Sequence, residues 1–318
     1  MIVGARSSAT MKVKAGGDHY FLEAAAQSDD PGQVRMISVK PCGGTPMRPK
    51  DGDEDGDGKA DVLGIQAGTG NLYYYRMTGR GLANGIKAGT GWGNMVFMQR
   101  VNEIQGPRSR NVLIAIHRNG TVWSYDNLGR GRLSGGRQIG SGLKGYSAFA
   151  VTTTNTNMMG ANGYGIGAHE LLAVRNGWLY SARVSASSVG GMTRHDAVDS
   201  DSWGTINEWR TNSRKLLAMR NFDGNGDGDL LDIDSSGNFW FHKYQATMFQ
   251  SFAAPKRVGT SWNQMGIVAS PGSLNGDRLN DVIARRNDGN LYTYTNKGGK
   301  WAAGVRIGQR WNAIRLLA

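Results

Sequence analysis

A short apolar strand, a turn containing Gly or Asn, and an aromatic strand recur as a unit five times along this chain of 318 residues. The copies begin at Asp61, Asn111, Glu170, Asp229 and Asp281, which lie 50, 59, 59 and 52 residues apart. A third strand, a corner that often contains Gly and Trp, and a fourth strand follow each copy. Four short strands in a unit of about 50 residues are typical of one blade of a β-propeller.

The glycine content supports the same fold class. The chain contains 48 Gly but only seven Pro, which indicates many tight turns rather than a low-complexity linker. Apolar and aromatic residues alternate in short runs, and long segments with the 3.6-residue period of an amphipathic helix are absent. The sequence therefore predicts an all-β protein.

The two ends of the chain predict how the blades close into a ring. Residues 312–318 match the fourth strand of a unit but have no partners after them, whereas residues 11–24 match the two strands of the repeated pattern. Pairing residues 312–318 with a strand at about residues 11–17 would complete one blade from both termini and remove an open sheet edge. The prediction is a single propeller domain over residues 1–318 with six four-stranded blades, with five or seven blades as the alternatives.

Three Asp- and Gly-rich loops stand in one register before copies of the repeat. Each places oxygen-bearing residues at positions one, three, five and nine and a backbone carbonyl at position seven, and Gly allows the tight turn. Calcium takes about six to eight oxygen ligands, and alternate side chains of such a loop converge on one point. The predicted ligands are Asp53, Asp55, Asp57, Lys59 (carbonyl) and Asp61; Asn221, Asp223, Asn225, Asp227 (carbonyl) and Asp229; and Ser273, Asn275, Asp277, Leu279 (carbonyl) and Asp281. Two or three structural Ca²⁺ sites are expected.

These loops, followed by an apolar strand, an aromatic strand and a Gly-Trp corner, resemble the FG-GAP/VCBS repeats of integrin α-chain propellers and of calcium-containing propeller lectins. The stretch "SFAAP" at 251–255 is similar to the signature that names the family. The loops at 103–111 and 162–170 depart from the pattern, because Pro107, Tyr164 and Ile166 stand at ligand positions. The resemblance implies a propeller in which the metal is structural and whose role is to bind glycans or proteins.

Aromatic residues recur at two places in the repeat. Tryptophans at the corner either stack on the apolar face of a sugar or wedge one blade against the next; they are Trp92, Trp203, Trp262 and Trp311. Aromatic side chains inside the strands are predicted to belong to the core between blades; they are Tyr73, Trp123, Tyr180, Trp240 and Tyr292.

Charge and histidine placement favour a binding protein over an enzyme. The net charge is +12, and the five His fall at unrelated places in the repeat, so neither a catalytic triad nor a His-rich metal cluster is indicated. The predicted function is calcium-stabilised, lectin-like recognition of carbohydrate, with an anionic glycan as one form of the ligand. The alternatives are an integrin-like platform for a cell-surface protein and a propeller polysaccharide lyase or hydrolase.

The remaining expectations concern surroundings and partners. The chain has no apolar run of about 18 residues and no secretory signal, and its one cysteine, Cys42, excludes an internal disulfide framework. No basic helix or stacking platform indicates nucleic-acid binding. We expect a secreted or extracellular monomer, without membrane insertion, because the loops need calcium; the signal peptide is not present in this chain.

Overall fold

The computed structural model describes residues 8–15, 18–25, 36–41, 52–104, 110–153, 169–194, 214–219, 222–225, 228–245 and 251–318. It divides the chain into two compact units, Met1–Arg48 and Pro49–Ala318. The first unit contains an antiparallel sheet of three strands, β1 (Ser8–Ala15), β2 (Asp18–Ala25) and β3 (Met36–Pro41). None of the described helices is long and apolar enough to cross a membrane.

The second unit is a β-propeller in which the described strands form five four-stranded antiparallel sheets. We number these sheets as blades and give the strands of each in spatial order. Blade 1 contains β27 (Ile314–Leu317), β4 (Val62–Gln66), β5 (Leu72–Tyr75) and β8 (Ile86–Gly89), and blade 2 contains β9 (Met95–Ile104), β10 (Arg110–His117), β11 (Val122–Asp126) and β12 (Arg137–Gly140). Blade 3 contains β13 (Ser147–Thr153), β14 (His169–Arg175), β15 (Trp178–Val184) and β16 (Thr193–Arg194), and blade 4 contains β17 (Lys215–Met219), β18 (Asp229–Ile233), β19 (Phe239–His242) and β22 (Lys256–Gly259). Blade 5 contains β23 (Met265–Gly272), β24 (Asp281–Arg286), β25 (Leu291–Tyr294) and β26 (Val305–Gly308).

Two small hairpins extend the blades. The pair β6 (Met77–Thr78) and β7 (Gly81–Leu82) follows β5, and the pair β20 (Tyr244–Gln245) and β21 (Ser251–Phe252) follows β19. Three corners contain a single 3₁₀ turn, Trp92–Asn94, Trp262–Gln264 and Trp311–Ala313, each leading into the next strand of the ring.

The ring closes differently from the prediction. The C-terminal strand β27 pairs with β4, because Leu317 lies opposite Gly64 and the backbone N–H groups of Leu63 and Ala318 donate to each other's carbonyl oxygens at 2.8 and 2.9 Å. Residues 11–15 of the predicted partner segment belong instead to β1, which pairs with β2. The predicted pairing of residues 312–318 with residues 11–17 is therefore wrong. Among the described residues five blades form, so the five-bladed alternative is the one that the structure shows.

The core of the propeller lies between neighbouring blades. The second strand of each blade is covered on both faces, which explains why it reads as an almost continuous apolar run such as "VLGI" or "VLIAI". Leu63, Ile65 and Leu72 of blade 1, for example, pack against Met98 and Leu113 of blade 2. This sandwiching fixes both ends of every blade, and with them the loops that enter and leave its strands.

The first strands of the five blades run in one direction around the ring, and this gives the propeller two distinct faces. The loops at 53–61 and 273–281 and the described residues 222–225 and 228–229 of the second loop lie where these first strands end, and we call this side the loop face. The 3₁₀ turns lie where the first strands begin, and we call this side the corner face.

Candidate metal centre

The loop at 53–61 is a tight turn built around the carboxylate of Asp53. The backbone N–H of Gly56 donates to Oδ1 of Asp53 at 2.6 Å, and that of Gly58 donates to Oδ2 at 2.9 Å. Both glycines have positive φ angles, 84° and 88°, which residues with a side chain rarely adopt. The Gly residues therefore let the loop close on its own first carboxylate.

Asp61 anchors the other end of the loop inside the propeller. Its side chain is fully buried and accepts hydrogen bonds from the backbone N–H of Glu54 (3.0 Å), the backbone N–H of Met77 (2.8 Å) and the hydroxyl of Tyr74 (3.0 Å). Burial raises the pKa of the Asp61 carboxyl to about 6, and the nearby charge of Asp55 adds to this rise. A bound cation would oppose both effects.

Asp53, Asp55 and Asp61 bring one carboxylate oxygen each to within 4.8 Å of one another. Calcium binds oxygens at about 2.4 Å, so ligands on opposite sides of the ion lie about 4.8 Å apart, and the trio fits this limit. An ionised carboxylate has about four lone-pair sites, so Asp61 with three hydrogen bonds and Asp53 with two each keep at least one for a metal. The residues present therefore fit a calcium ion.

Two of the predicted ligands in this loop lie outside the trio. The side chain of Asp57 is exposed, and its Oδ1 accepts the backbone N–H of Lys59 at 2.9 Å. Among the described residues, no backbone N–H donates to the carbonyl of Lys59. Arg76 lies 3.7 Å from Oδ2 of Asp55 and partly neutralises the cluster.

The other two loops repeat the anchor. In the second loop, the backbone N–H of Phe222, at position two, donates to the carboxylate of Asp229, at position nine, at 2.9 Å. In the third loop, the backbone N–H of Leu274 donates in the same way to Asp281 at 2.8 Å. Asp229 and Asp281 are fully buried, as Asp61 is. Burial also raises the pKa of Asp281 to about 6. The ninth carboxylate thus fixes each described loop to its own strand, whether or not a metal is present.

The third loop satisfies its ligand positions internally. The hydroxyl of Ser273 shares its one proton between Oδ1 of Asn275 at 3.1 Å and Oδ1 of Asp277 at 3.2 Å. The side-chain amide of Asn275 donates to Oδ2 of Asp277 at 2.9 Å. These hydrogen bonds hold the loop closed, and its two carboxylates, Asp277 and Asp281, are one fewer than the three that converge in the first loop, so the third loop offers a cation less negative charge. Among the described residues, no backbone N–H donates to the carbonyl of Leu279.

The second loop is described only in part. Asn221 and Asp227, two of its predicted ligands, lie outside the described residues. Asp223 forms an ion pair with Lys243 at 2.8 Å, and its Oδ1 accepts the backbone N–H of Asn225 at 3.1 Å. An ammonium group thus compensates the one described carboxylate in the middle of this loop.

Replacing Arg278 by Gly is expected to raise the free energy of unfolding by about 0.5–1 kcal/mol. Arg278 is the sixth residue of the third loop and has φ = 75°, where the first loop has Gly58. A left-handed conformation is unfavourable for a residue with a Cβ atom, and Gly removes that strain. Urea denaturation measures the change, and Lys256→Gly, at an exposed strand position, is expected to destabilise. A loss of stability in Arg278→Gly would contradict this interpretation.

Glu54 ties the first loop to blade 2, a role that the sequence did not reveal. Its side chain is buried, and Nε of Arg100 lies 2.8 Å from its Oε1. Its carboxylate also accepts the side-chain amide of Asn127 at 3.0 Å and the backbone N–H of Gly131 at 2.7 Å. One feature of the sequence could have indicated this role: the first loop has the charged Glu54 where the second and third loops have the apolar residues Phe222 and Leu274.

The corner tryptophans pack between blades. Trp92 and Trp262 are only 7% and 6% exposed, and their rings lie 4.7 Å from those of Tyr125 and Tyr294 in the following blades. The half-buried Trp311 lies 4.8 Å from Tyr75 across the closure of the ring. The wedge alternative accounts for these contacts, and burial leaves Trp92 and Trp262 no open ring face for a sugar. Trp203 lies outside the described residues.

In contrast to the buried corner tryptophans, one aromatic residue in the third strand of each blade is half-buried. It lies opposite an exposed residue on the outermost strand. We call these cross-strand neighbours the rim pairs. They are Tyr73 with Lys87, Trp123 with Gln138, Tyr180 with Arg194, Trp240 with Arg257, and Tyr292 with Arg306. Four of the five partners are basic, and all five are exposed. The aromatic residues were predicted to belong to the core, and their position opposite an exposed, mostly basic residue shows only once the strand register is known.

Comparison with known proteins identifies no family. No family model matches the chain, and no curated protein matches it. Among solved structures, AofleA from Arthrobotrys oligospora aligns over 96% of this chain and 88% of its own, with 12% identity and a TM-score of 0.41. BBS1N in complex with ARL6DN, soaked with lead, aligns over 99% of this chain and 82% of its own, with 10% identity and a TM-score of 0.31. Both scores are low, so the propeller assignment depends on the five sheets described above.

Proposed function

We propose that this chain is a non-catalytic, lectin-like propeller that binds acidic carbohydrate at its rim pairs and uses calcium in the 53–61 loop as a structural ion. The observation that carries this proposal is the recurrence of a half-buried aromatic ring beside an exposed long polar side chain in all five blades. A ring with one accessible side can stack on the apolar face of a sugar, while the neighbouring side chain reaches its polar groups.

The charges of the rim pairs favour an acidic sugar. Lysine and arginine occupy four of the five outer positions, and arginine matches carboxylate and sulfate oxygens with paired donors. The net charge of +12 acts in the same direction by attracting polyanions. Several similar weak sites on one protein would bind a glycan chain or a glycan-coated surface more strongly than any single site does.

Two further observations support a binding protein with a structural metal. The carboxylates of the 53–61 loop are committed to hydrogen bonds that hold the loop itself. His242 and Asp232, 2.5 Å apart, are both buried between β18 and β19, out of reach of a substrate. We place the protein outside the cell, where calcium is abundant enough to fill sites of modest affinity.

A glycan array tests the proposal directly. We expect binding to glycans that carry uronate or sulfate groups, weak binding to neutral glycans, and a loss of signal as salt is raised to physiological strength and beyond. The double variant Arg257→Gln/Arg306→Gln should bind several-fold more weakly, because it removes the charge from two rim pairs. The matched control Arg80→Gln/Lys297→Gln removes two exposed charges elsewhere and should bind like the wild type.

Two outcomes would contradict the proposal. An array with no signal, together with one tightly bound protein partner, would favour the adhesion platform. Equal losses in the two double variants would mean that overall charge, and not the rim pairs, attracts the glycans.

A further inference from the structure

The first strands of all five blades line a cavity of about 450 Å³ along the axis of the propeller. Its wall is mostly apolar, and each of the strands β9, β13, β17, β23 and β27 contributes a half-buried apolar residue to it. These residues are Phe97, Ala148, Ala218, Val268 and Leu316. A volume of this size suits a small organic molecule, for which pockets of about 300–1,000 Å³ are usual.

The corner-face end of this channel is strongly basic. Arg118, Arg214, Lys215 and Arg315 line it, and Arg285 lies beside Ile314 at the same end. No Asp or Glu is among the described residues that line the channel. None of these five cations forms a salt bridge with a carboxylate in the described part of the chain. Four blades therefore place like charges together without compensation.

Backbone carbonyl groups hold three of the cations in place. Nζ of Lys215 donates to the carbonyls of Met265 and Gly266 in blade 5, the second at 3.1 Å. Arg315 donates from Nη2 to Trp92 at 2.9 Å and Arg285 donates from Nη1 to Ile314 at 2.7 Å, in each case to a carbonyl of the next blade. These cations are thus positioned before any ligand arrives, which lowers the entropy lost on binding.

The other two cations are free to reach a ligand. Arg118 and Arg214 are exposed, and within the described residues no hydrogen bond of either guanidinium group is found. The buried Nε of Arg285 also has no partner among the described residues. Water satisfies the donors of the two exposed guanidinium groups, whereas a buried donor without a partner, such as Nε of Arg285, is unfavourable. An anion would also relieve the repulsion among the like charges.

The surroundings of Lys215 disfavour its charged form. Burial lowers its pKa to about 8, and the charges of Arg285 and Arg214 add to this effect. Burial likewise lowers the pKa of Arg315, with a contribution from Arg118. An anion at this end of the channel would favour the charged form of both side chains.

We propose that the axial channel binds one amphipathic anion, with its acidic group among Arg118, Arg214, Lys215 and Arg315 and its apolar body against the wall formed by the five first strands. The basic end alone would accept any anion, but the apolar wall selects one that carries a hydrophobic group. This site is independent of the proposed function, because the rim pairs lie on the outermost strands and the channel lies on the axis.

Two naphthalene probes test the proposal on the full chain by isothermal titration calorimetry. We expect 1-anilinonaphthalene-8-sulfonate to bind with one molecule per chain, and N-phenyl-1-naphthylamine, the same body without the sulfonate, to bind at least tenfold more weakly. Arg118→Gln/Arg214→Gln should lose about tenfold or more in affinity for the sulfonate, because it removes two guanidinium groups that donate charged hydrogen bonds to an anion. Arg80→Gln/Lys297→Gln is the charge-matched control and should bind normally.

A second variant tests the channel wall. Val268→Phe narrows the channel without changing charge, and it should weaken sulfonate binding while the far-UV circular dichroism of the protein is retained. Equal affinity for the two probes, several sulfonates per chain, or affinity unchanged in both Arg118→Gln/Arg214→Gln and Val268→Phe would overturn the proposal. Glycan binding at the rim pairs is measured separately on the array, so failure of either proposal leaves the other testable.

Discussion

Deletion of residues 314–318 is expected to abolish cooperative unfolding of the propeller. These residues form the first strand of blade 1, and Ile314, Leu317 and Ala318 are buried there. Truncating one buried Leu or Ile to Ala typically removes about 2–5 kcal/mol, while a whole domain is stable by only about 5–15 kcal/mol. Loss of both side chains, together with the backbone pairing to β4, therefore exceeds what the ring can tolerate. Thermal unfolding followed by circular dichroism measures the result.

A pair of point variants separates ring closure from a general effect of truncation. Leu317→Ala should lower the free energy of unfolding by about 2–5 kcal/mol, because its side chain is only 3% exposed. Leu128→Ala makes the same chemical change at a side chain that is 56% exposed, and we expect a change of about 0.5 kcal/mol or less. If the truncated chain melted like the full one, or if the two variants behaved alike, β27 would not close the ring.

The sequence predicted the repeating unit well because each blade reads as local patterns. Strands such as "DVIAR" and "NLYTY" are separated by a turn of Asp and Gly, and burial in the structure follows their apolar positions. The number of blades was harder to predict, because ring closure is a pairing between residues about 250 positions apart. The short strand "IRLL" can match either β4 or a strand near residues 11–17 by pattern, and only the observed register separates the two.

The candidate metal site was also predicted only as far as local spacing allows. The loop spacing correctly placed Asp53, Asp55 and Asp61 together, since alternate side chains of a tight turn converge. The hydrogen bonds of Asp61 to Tyr74 and Met77, and of Glu54 to blade 2, depend on contacts that spacing does not encode. The sequence did not predict the rim pairs for a related reason. An aromatic residue in a strand is expected to lie in the core, and only its cross-strand neighbour shows otherwise.

Calcium is expected to raise the melting temperature of the chelated protein by binding at the 53–61 loop. A ligand that binds only the folded state stabilises it by about 2.7 kcal/mol at a hundredfold excess over Kd, which is a clear shift for a protein of this size. Asp55→Asn should remove most of that shift, because it takes one of the three converging carboxylates and gives the loop the residue that the third loop has at this position, Asn275. Differential scanning calorimetry with and without chelator measures the change.

The control replaces an aspartate that no cluster uses. Asp288 is exposed, and its carboxylate accepts hydrogen bonds from Asn290, so Asp288→Asn should leave the calcium-dependent shift intact. Direct titration gives the number of ions: one per chain is expected if the internal hydrogen bonds of Ser273, Asn275 and Asp277 satisfy the third loop and Lys243 compensates the second. No bound calcium at millimolar concentration would mean that hydrogen bonds to Asp53 and Asp61 hold the first loop unaided, and it would remove the main argument for placing this propeller outside the cell.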